Sequence, residues 1–179
     1  MIRYADDFVI MARFVGGRIK DFVERVLEGR MGLTINRDKT RVVQLAAVVQ
    51  AAGGPTPALD FLGYTFRYDL DLQGRGHRYL NLTASAKAQL RERDALRKLI
   101  EPAKCFKPIG ALIEQVNEQT RGWSNYFRLG YPRHAFRAIN GFIQERLIGH
   151  LKRRSQRPFR PPDGVSWYEQ LRRLGLKPL

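Results

Sequence analysis

Cysteine is almost missing from this chain: Cys105 stands alone among 179 residues. No internal disulfide can form, which fits a reducing compartment. Histidine is scarce as well. His77, His134 and His150 lie far apart without metal-ligand spacing, and with a single cysteine a zinc site is not expected. No apolar run approaches the roughly 18 residues of a membrane span, so no membrane partner is expected. Asp6 and Asp7 interrupt the apolar stretch near the start, so it does not read as a signal peptide. No Gly-x-x-x-x-Gly-Lys-Ser/Thr loop occurs, and nucleotide hydrolysis has no support. Acidic residues are also few: 17 Asp and Glu face 32 Lys and Arg, a net charge of +15.

The charge is unevenly placed. Residues 1–83 hold 12 Lys and Arg against 9 Asp and Glu, whereas residues 84–179 hold 20 against 8. A polyanionic partner is therefore expected for the second part, with salt-sensitive binding from counterion release. Hydrophobic residues make up 44%, enough for a packed core rather than wholesale disorder.

Local pattern predicts an α+β chain with a boundary near residue 83. Residues 1–14 read as a β-hairpin, with Phe8 to Met11 as a buried-strand run. Residues 18–30 read as a helix carrying Ile19, Phe22, Val23, Val26 and Leu27 on one face. A turn around Asn36 leads to a strand at Thr40 to Leu45. Residues 46–58 read as a loop or insertion, because Gly53, Gly54, Pro55 and Pro57 break any regular element. A second hairpin is expected, with arms Phe61 to Leu72 and Arg78 to Leu82. From residue 84 the period becomes helical. Helices are predicted over 85–100 with Ser85 as N-cap, 109–128, 133–152 and 165–174, with a basic, proline-rich stretch before the last.

The strongest local signal is Tyr4-Ala5-Asp6-Asp7 between two apolar segments. Adjacent carboxylates at a hairpin tip suit a hard divalent cation such as Mg²⁺, which takes oxygen ligands. In a two-metal site such ions activate a 3′-hydroxyl and stabilise the leaving pyrophosphate. Asp also favours ordinary polar turns, so the tetrapeptide by itself supports both readings.

Further segments follow in order: Gly32-Leu33-Thr34-Ile35-Asn36 with Lys39-Thr40-Arg41, then Phe61-Leu62-Gly63-Tyr64. Arg121-Gly122-Trp123-Ser124-Asn125-Tyr126-Phe127 comes next, then Ser166-Trp167-Tyr168 and Leu171-Arg172-Arg173-Leu174-Gly175-Leu176. With the Tyr-Ala-Asp-Asp box, this series resembles the C-terminal portion of group II intron reverse transcriptase–maturases. The resemblance implies a partial polymerase palm over 1–83, made of β-hairpins and a helix. A basic α-helical thumb and maturase domain over 84–179 would follow it. Residues 46–58 are the main part it does not cover.

The resemblance further implies that Asp6 is the direct metal ligand and Asp7 its neighbour, with Mg²⁺ as cofactor. It places Tyr4 near the primer end or template strand, and makes Lys39 the palm lysine that protonates pyrophosphate; a solvated turn lysine is the alternative. The family palm needs a further aspartate from an earlier strand, and none precedes the hairpin here. The expectation is that this chain alone does not polymerise DNA: it is either a truncated product or a fragment whose other half, an upstream reverse transcriptase fragment, is supplied separately as a partner. Group II intron RNA is the expected main partner, with a DNA target or primer in the full-length protein. A cytoplasmic location of bacterial type is expected, with nucleoid association as an option.

RNA contact is expected from Arg121, Tyr126, Arg128, Arg133 and Arg137, and from Lys152, Arg153, Arg154, Arg157 and Arg160. Arg133 and Arg137 share a helix face. Residues 146–162 contain no Asp or Glu, which favours phosphate binding over a merely solvated charge run. Trp123 and Phe127 are expected in the core. Two other function classes remain: a non-catalytic RNA-binding splicing cofactor, and an inert remnant of a mobile element.

Overall fold

The computed structural model describes residues 2–4, 7–14, 16–45, 56–71, 75–156 and 159–179. It divides into two compact units, Met1–Val42 and Val43–Leu179, and its class is α+β.

In the first unit, β1 (Ile2–Tyr4) pairs antiparallel with β2 (Asp7–Val9), placing Ile2 opposite Val9 and Tyr4 opposite Asp7. The predicted helix forms as α1 (Gly17–Glu24) and continues as a wider π-helical turn over Arg25–Arg30. Gly32 ends it in the left-handed region at φ +63°, a conformation glycine adopts without a Cβ clash. Glu28 then anchors the returning chain. Its carboxylate accepts from the Ile35 N–H at 3.2 Å and from Arg37 Nη2 at 3.0 Å. These bonds, with the Arg37 bond foremost, hold the Glu28 carboxyl below the usual glutamate range. No described residue of this unit is buried, so it has no core of its own among them. The strand expected at Thr40 to Leu45 does not form. A β-favouring composition makes a strand only where another strand supplies ladder partners, and none pairs with it among the described residues.

The second unit begins with a three-stranded antiparallel sheet in the order β3 (Ala58–Phe61), β4 (Tyr64–Leu70), β5 (Arg78–Ala84). Phe61 was expected to open the first arm of a two-stranded hairpin. Instead Leu62 and Gly63 form a tight turn that adds β3 ahead of it, with Phe61 paired to Tyr64. Both turn residues have positive φ, 50° and 80°, the mirror-image geometry whose twist matches the flanking strands.

Four helices follow: α2 (Ala86–Leu99), α3 (Ile109–Tyr126), α4 (Arg133–Arg153) and α5 (Trp167–Arg173). Ser85 caps α2 as expected, its hydroxyl accepting from the Ala88 N–H at 3.2 Å. Ser166 does the same for Glu169 in α5. Leu96 and Ile100 at the end of α2, Leu112, Ile113 and Val116 of α3, Ile139, Ile143 and Leu147 of α4, and Leu171 of α5 are nearly or fully buried. Each such side chain contributes about 1.5–3 kcal/mol on leaving water, so this helical core dominates the stability of the unit. Tyr64 and Ala84 of the sheet belong to the same core. Sheet and helices share one compact unit.

The chain after α5 is fixed by side-chain amides. Gly175, at φ +99°, closes α5 with Gly175 N–H donating to the Arg172 carbonyl and Leu176 N–H to the Leu171 carbonyl, the paired bonds of a Schellman motif. Asn117 of α3 then donates to the Gly175 carbonyl at 2.9 Å and accepts from the Lys177 N–H at 3.0 Å. Asn140 of α4 donates to the Leu179 carbonyl at 3.3 Å and accepts from the Leu179 N–H at 3.1 Å. The tail is thus clipped to two helices, each clip imitating a β-ladder pair.

Candidate nucleic-acid interface

Two of the motif segments meet in space. The Leu62-Gly63 turn sits on the end of α3. A Cβ on Gly63 would lie 3.3 Å from the Phe127 ring, so glycine serves both the positive φ and the close approach there. The Tyr64 hydroxyl donates to the Tyr126 carbonyl, and the Tyr126 hydroxyl donates to the Leu62 carbonyl at 2.9 Å. Tyr64 stacks on Phe127 at 5.0 Å, and Trp123 lies 5.0 Å from Phe127 and 5.6 Å from Phe136. Trp123 and Phe127 are core residues, as expected. Tyr126 is 53% exposed; its ring edge is open to a ligand while its hydroxyl is committed to the turn.

The loop after α3 is locked onto the sheet. Tyr131 N–H is shared between the Leu82 carbonyl and Asn81 Oδ1, both at 3.3 Å, and the Tyr131 ring meets Tyr79 edge-on at 5.0 Å. Asn81 donates in turn to Asp69 at 2.6 Å, and Asp69 pairs with Arg67 at 2.7 Å. Gly130 at φ +75° lets this happen, since a Cβ there would sit 2.4 Å from the Leu82 carbonyl oxygen. Arg128, Arg133 and Arg137 therefore project from a fixed scaffold.

Those cations are solvent-facing and uncompensated. Arg121, Arg128, Arg133 and Arg137 are exposed, as are Lys152, Arg153, Arg154 and Arg160. None of them is in an ion pair among the described residues. On α4 the buried positions Ala135, Ile139, Ile143, Leu147 and Leu151 fix one face. Arg133, Arg137 and Lys152 are exposed along the same helix, spread over about 28 Å at helical rise. Lys152 is steadied by the Trp167 ring, its Nζ 5.7 Å from the centroid. Arg157 lies outside the described residues.

His150 sits beneath this end of α4. It is fully buried, and neither ring nitrogen has a hydrogen-bond partner in the protein. Burial, and then the charges of Arg154 and Arg153, hold its pKa below the ordinary histidine value, so the ring is neutral at pH 7 and adds no charge to the face. Glu92 of α2 is also buried. It accepts one bond from Gln119 at 2.8 Å, and burial pushes its carboxyl up.

Residues 90–162 match the family model of the group II intron maturase-specific domain. The chain carries a maturase-specific domain of the group II intron type. A search of curated proteins returns no match. The matched maturase stretch takes in α3, α4 and the basic residues up to Arg160, so the uncompensated cations belong to it. The hairpin and the Lys39 turn lie outside it.

At the hairpin, Tyr4 is 63% exposed and Asp7 is exposed. Asp6 lies outside the described residues, as do residues 46–55 of the expected insertion. Lys39 lies in an exposed turn that Asn36 closes by accepting the Lys39 N–H at its carbonyl and Oδ1. Among the described residues no group of three or more His, Cys, Asp or Glu could hold a metal ion. Those residues do not by themselves make a magnesium site. No helix among them is long and apolar enough to cross a membrane.

Sequence reasoning passed over the asparagine clips of the maturase domain and the arginines in the middle of its helices, Arg93, Arg97 and Arg146. The clips join residues 39 to 60 positions apart and follow no period. The arginines stood outside any run, and only the packing of α2 on α4 groups them.

Proposed function

We propose that the maturase domain binds group II intron RNA through the solvent face of α4 and the basic segment after it, and so assists the intron to fold and splice. One observation carries this. Arg121, Arg128, Arg133, Arg137, Lys152, Arg153, Arg154 and Arg160 are exposed and form no ion pair among the described residues, in a stretch matched to the maturase family. Folded RNA is recognised mainly by shape, phosphates and 2′-hydroxyls, which suits a rigid cationic helix face. The protein would act in the cytoplasm. Filter binding to a group II intron transcript and to an unrelated structured RNA of equal length tests the reading. Preference for the intron is expected, with Arg133→Ala/Arg137→Ala weakening both complexes and lowering the salt slope by about 2. Weak binding with no preference would refute a dedicated splicing role.

A second reading rests on the hairpin that sets Tyr4 opposite Asp7. In it, the first unit is the end of a reverse transcriptase palm that copies the intron into a DNA target during retrohoming. Asp6 and Asp7 would supply hard oxygen ligands to Mg²⁺, which when bound stabilises charge on the transferred phosphate. Tyr4 would flank the primer or template, and Lys39 would meet the pyrophosphate. Further carboxylates from an upstream reverse transcriptase fragment would complete the site. RNA-templated incorporation by the chain with such a fragment checks it; activity surviving Asp6→Ala and Asp7→Ala would refute the assignment.

A further inference from the structure

We propose that the seam between α2 and α4 is a second phosphate-binding surface, which takes an RNA backbone on charge alone. The proposal rests on the RNA-binding reading above and adds to it Arg93, Arg97 and Arg146, which that reading does not use, beside Arg153, which it does. Arg93 and Arg97 occupy successive turns of α2, and their guanidinium carbons lie 6.0 and 5.2 Å from the centre of the Phe142 ring on α4. Arg146 follows Phe142 by one turn, and Arg153 follows two turns later. Residues 142, 146, 149 and 153 recur at helical spacing and form one stripe about 16 Å long. Gly149 lies under the far end: a Cβ there would meet the Arg153 guanidinium at 3.4 Å. An open groove of about 530 Å³ runs beside the stripe, with Arg146, Gly149, Lys152 and Arg153 in its lining.

The charge along this seam is out of balance. Arg97 is paired with Asp94, but Arg93, Arg146 and Arg153 have no carboxylate partner among the described residues. Glu145 also lines the groove and forms no ion pair. The Nε atoms of Arg93 and Arg146 are buried and have no hydrogen-bond partner in the protein. An RNA phosphate brought alongside would offset this uncompensated positive charge. A ring beneath a guanidinium fixes its place while leaving its edge donors available. A strand within a nucleic-acid duplex presents one phosphate about every 3.4 Å of axis, so the stripe can meet several on one strand. The seam also runs into the basic segment at Lys152 to Arg154, so one backbone can engage both. An acidic peptide is the competing occupant, and it lacks that regular anionic repeat.

The test uses the full chain, a group II intron transcript, a short RNA duplex of unrelated sequence, and polyglutamate. With Arg93→Gln/Arg146→Gln, both RNAs should bind more weakly, and the slope of log affinity against log salt should fall by about 1.4 to 1.8. Arg93→Lys/Arg146→Lys keeps the charges and should restore most of the slope. Urea unfolding of each variant checks that the fold is retained. An unchanged slope in a folded glutamine variant would overturn the proposal, as would a lysine variant no better than the glutamine one. Polyglutamate binding that depends on the seam while RNA binding does not would assign the surface to acidic peptides and likewise overturn it. If the wild-type chain shows no preference for the intron transcript, the splicing role fails while the slope still decides the seam. Absence of binding to either RNA overturns both.

Discussion

Removing the asparagine clips should loosen the tail and cost measurable stability. Asn117 makes two hydrogen bonds to the tail backbone at the surface, and Asn140 makes two that are partly buried. A typical intramolecular hydrogen bond contributes about 0.5–1.5 kcal/mol net, with exposed ones at the low end. Asn117→Ala should therefore cost about 1 kcal/mol and Asn140→Ala about 2 kcal/mol. Leu176 and Leu179, packed against the core edge, lose cover in both variants. The two losses share one tail, so the double variant should cost less than their sum. Urea unfolding is the assay: with a slope near 2 kcal/mol/M, Asn140→Ala moves the midpoint down by about 1 M. Hydrogen exchange at the Lys177 and Leu179 amides reports the clips directly, and both should lose protection. Unchanged midpoints with unchanged protection would refute the claim that these amides hold the tail.

Two further predictions concern the scaffold. His150→Leu removes two buried ring nitrogens that lack partners and should stabilise the protein by about 1–2 kcal/mol at low pH. Its folded pKa is depressed, so the unfolded chain binds the extra proton first. Stability is complete above the ordinary histidine pKa and falls as pH drops below about 6.5. Urea midpoints measured from pH 7.5 to 5 should show this decline in wild type and a flatter profile in the variant. Gly130→Ala forces a Cβ to within 2.4 Å of the Leu82 carbonyl oxygen at a positive φ. Overpacking and left-handed strain together should cost about 3 kcal/mol, read as a lower melting temperature with exposure of the Tyr79–Tyr131 pair in tyrosine fluorescence.

The helices of the second unit were legible because their information is local. Leu96, Val116, Ile139, Ile143 and Leu147 recur at helical spacing, and Ser85 marks a start. Strand β3 was missed because Leu62 carries no turn signal. Its positive φ is imposed by the docking of the turn on Phe127, a contact between residues far apart in sequence. Thr40 to Leu45 shows the converse error, a β-favouring composition without a partner. The candidate interface was legible as charge: the acid-free stretch 146–162 predicted uncompensated cations, and Lys152 to Arg154 are such. Tyr126 was legible only in part, because its hydroxyl bond to Leu62 depends on the tertiary fold. The grouping of Arg93, Arg97 and Arg146 around the α2–α4 seam became visible only once the helices were packed.

The central claim is that the cationic face of the maturase domain grips RNA phosphates because no ion pair among the described residues neutralises it. The salt dependence of wild-type binding to a group II intron transcript tests this most directly. If at least four of the exposed cations meet phosphates, log affinity should fall against log salt with a slope of about −3 or steeper, at 0.7 to 0.9 per contact. A slope near zero would mean that the face stays solvated in the complex, and the account would be wrong.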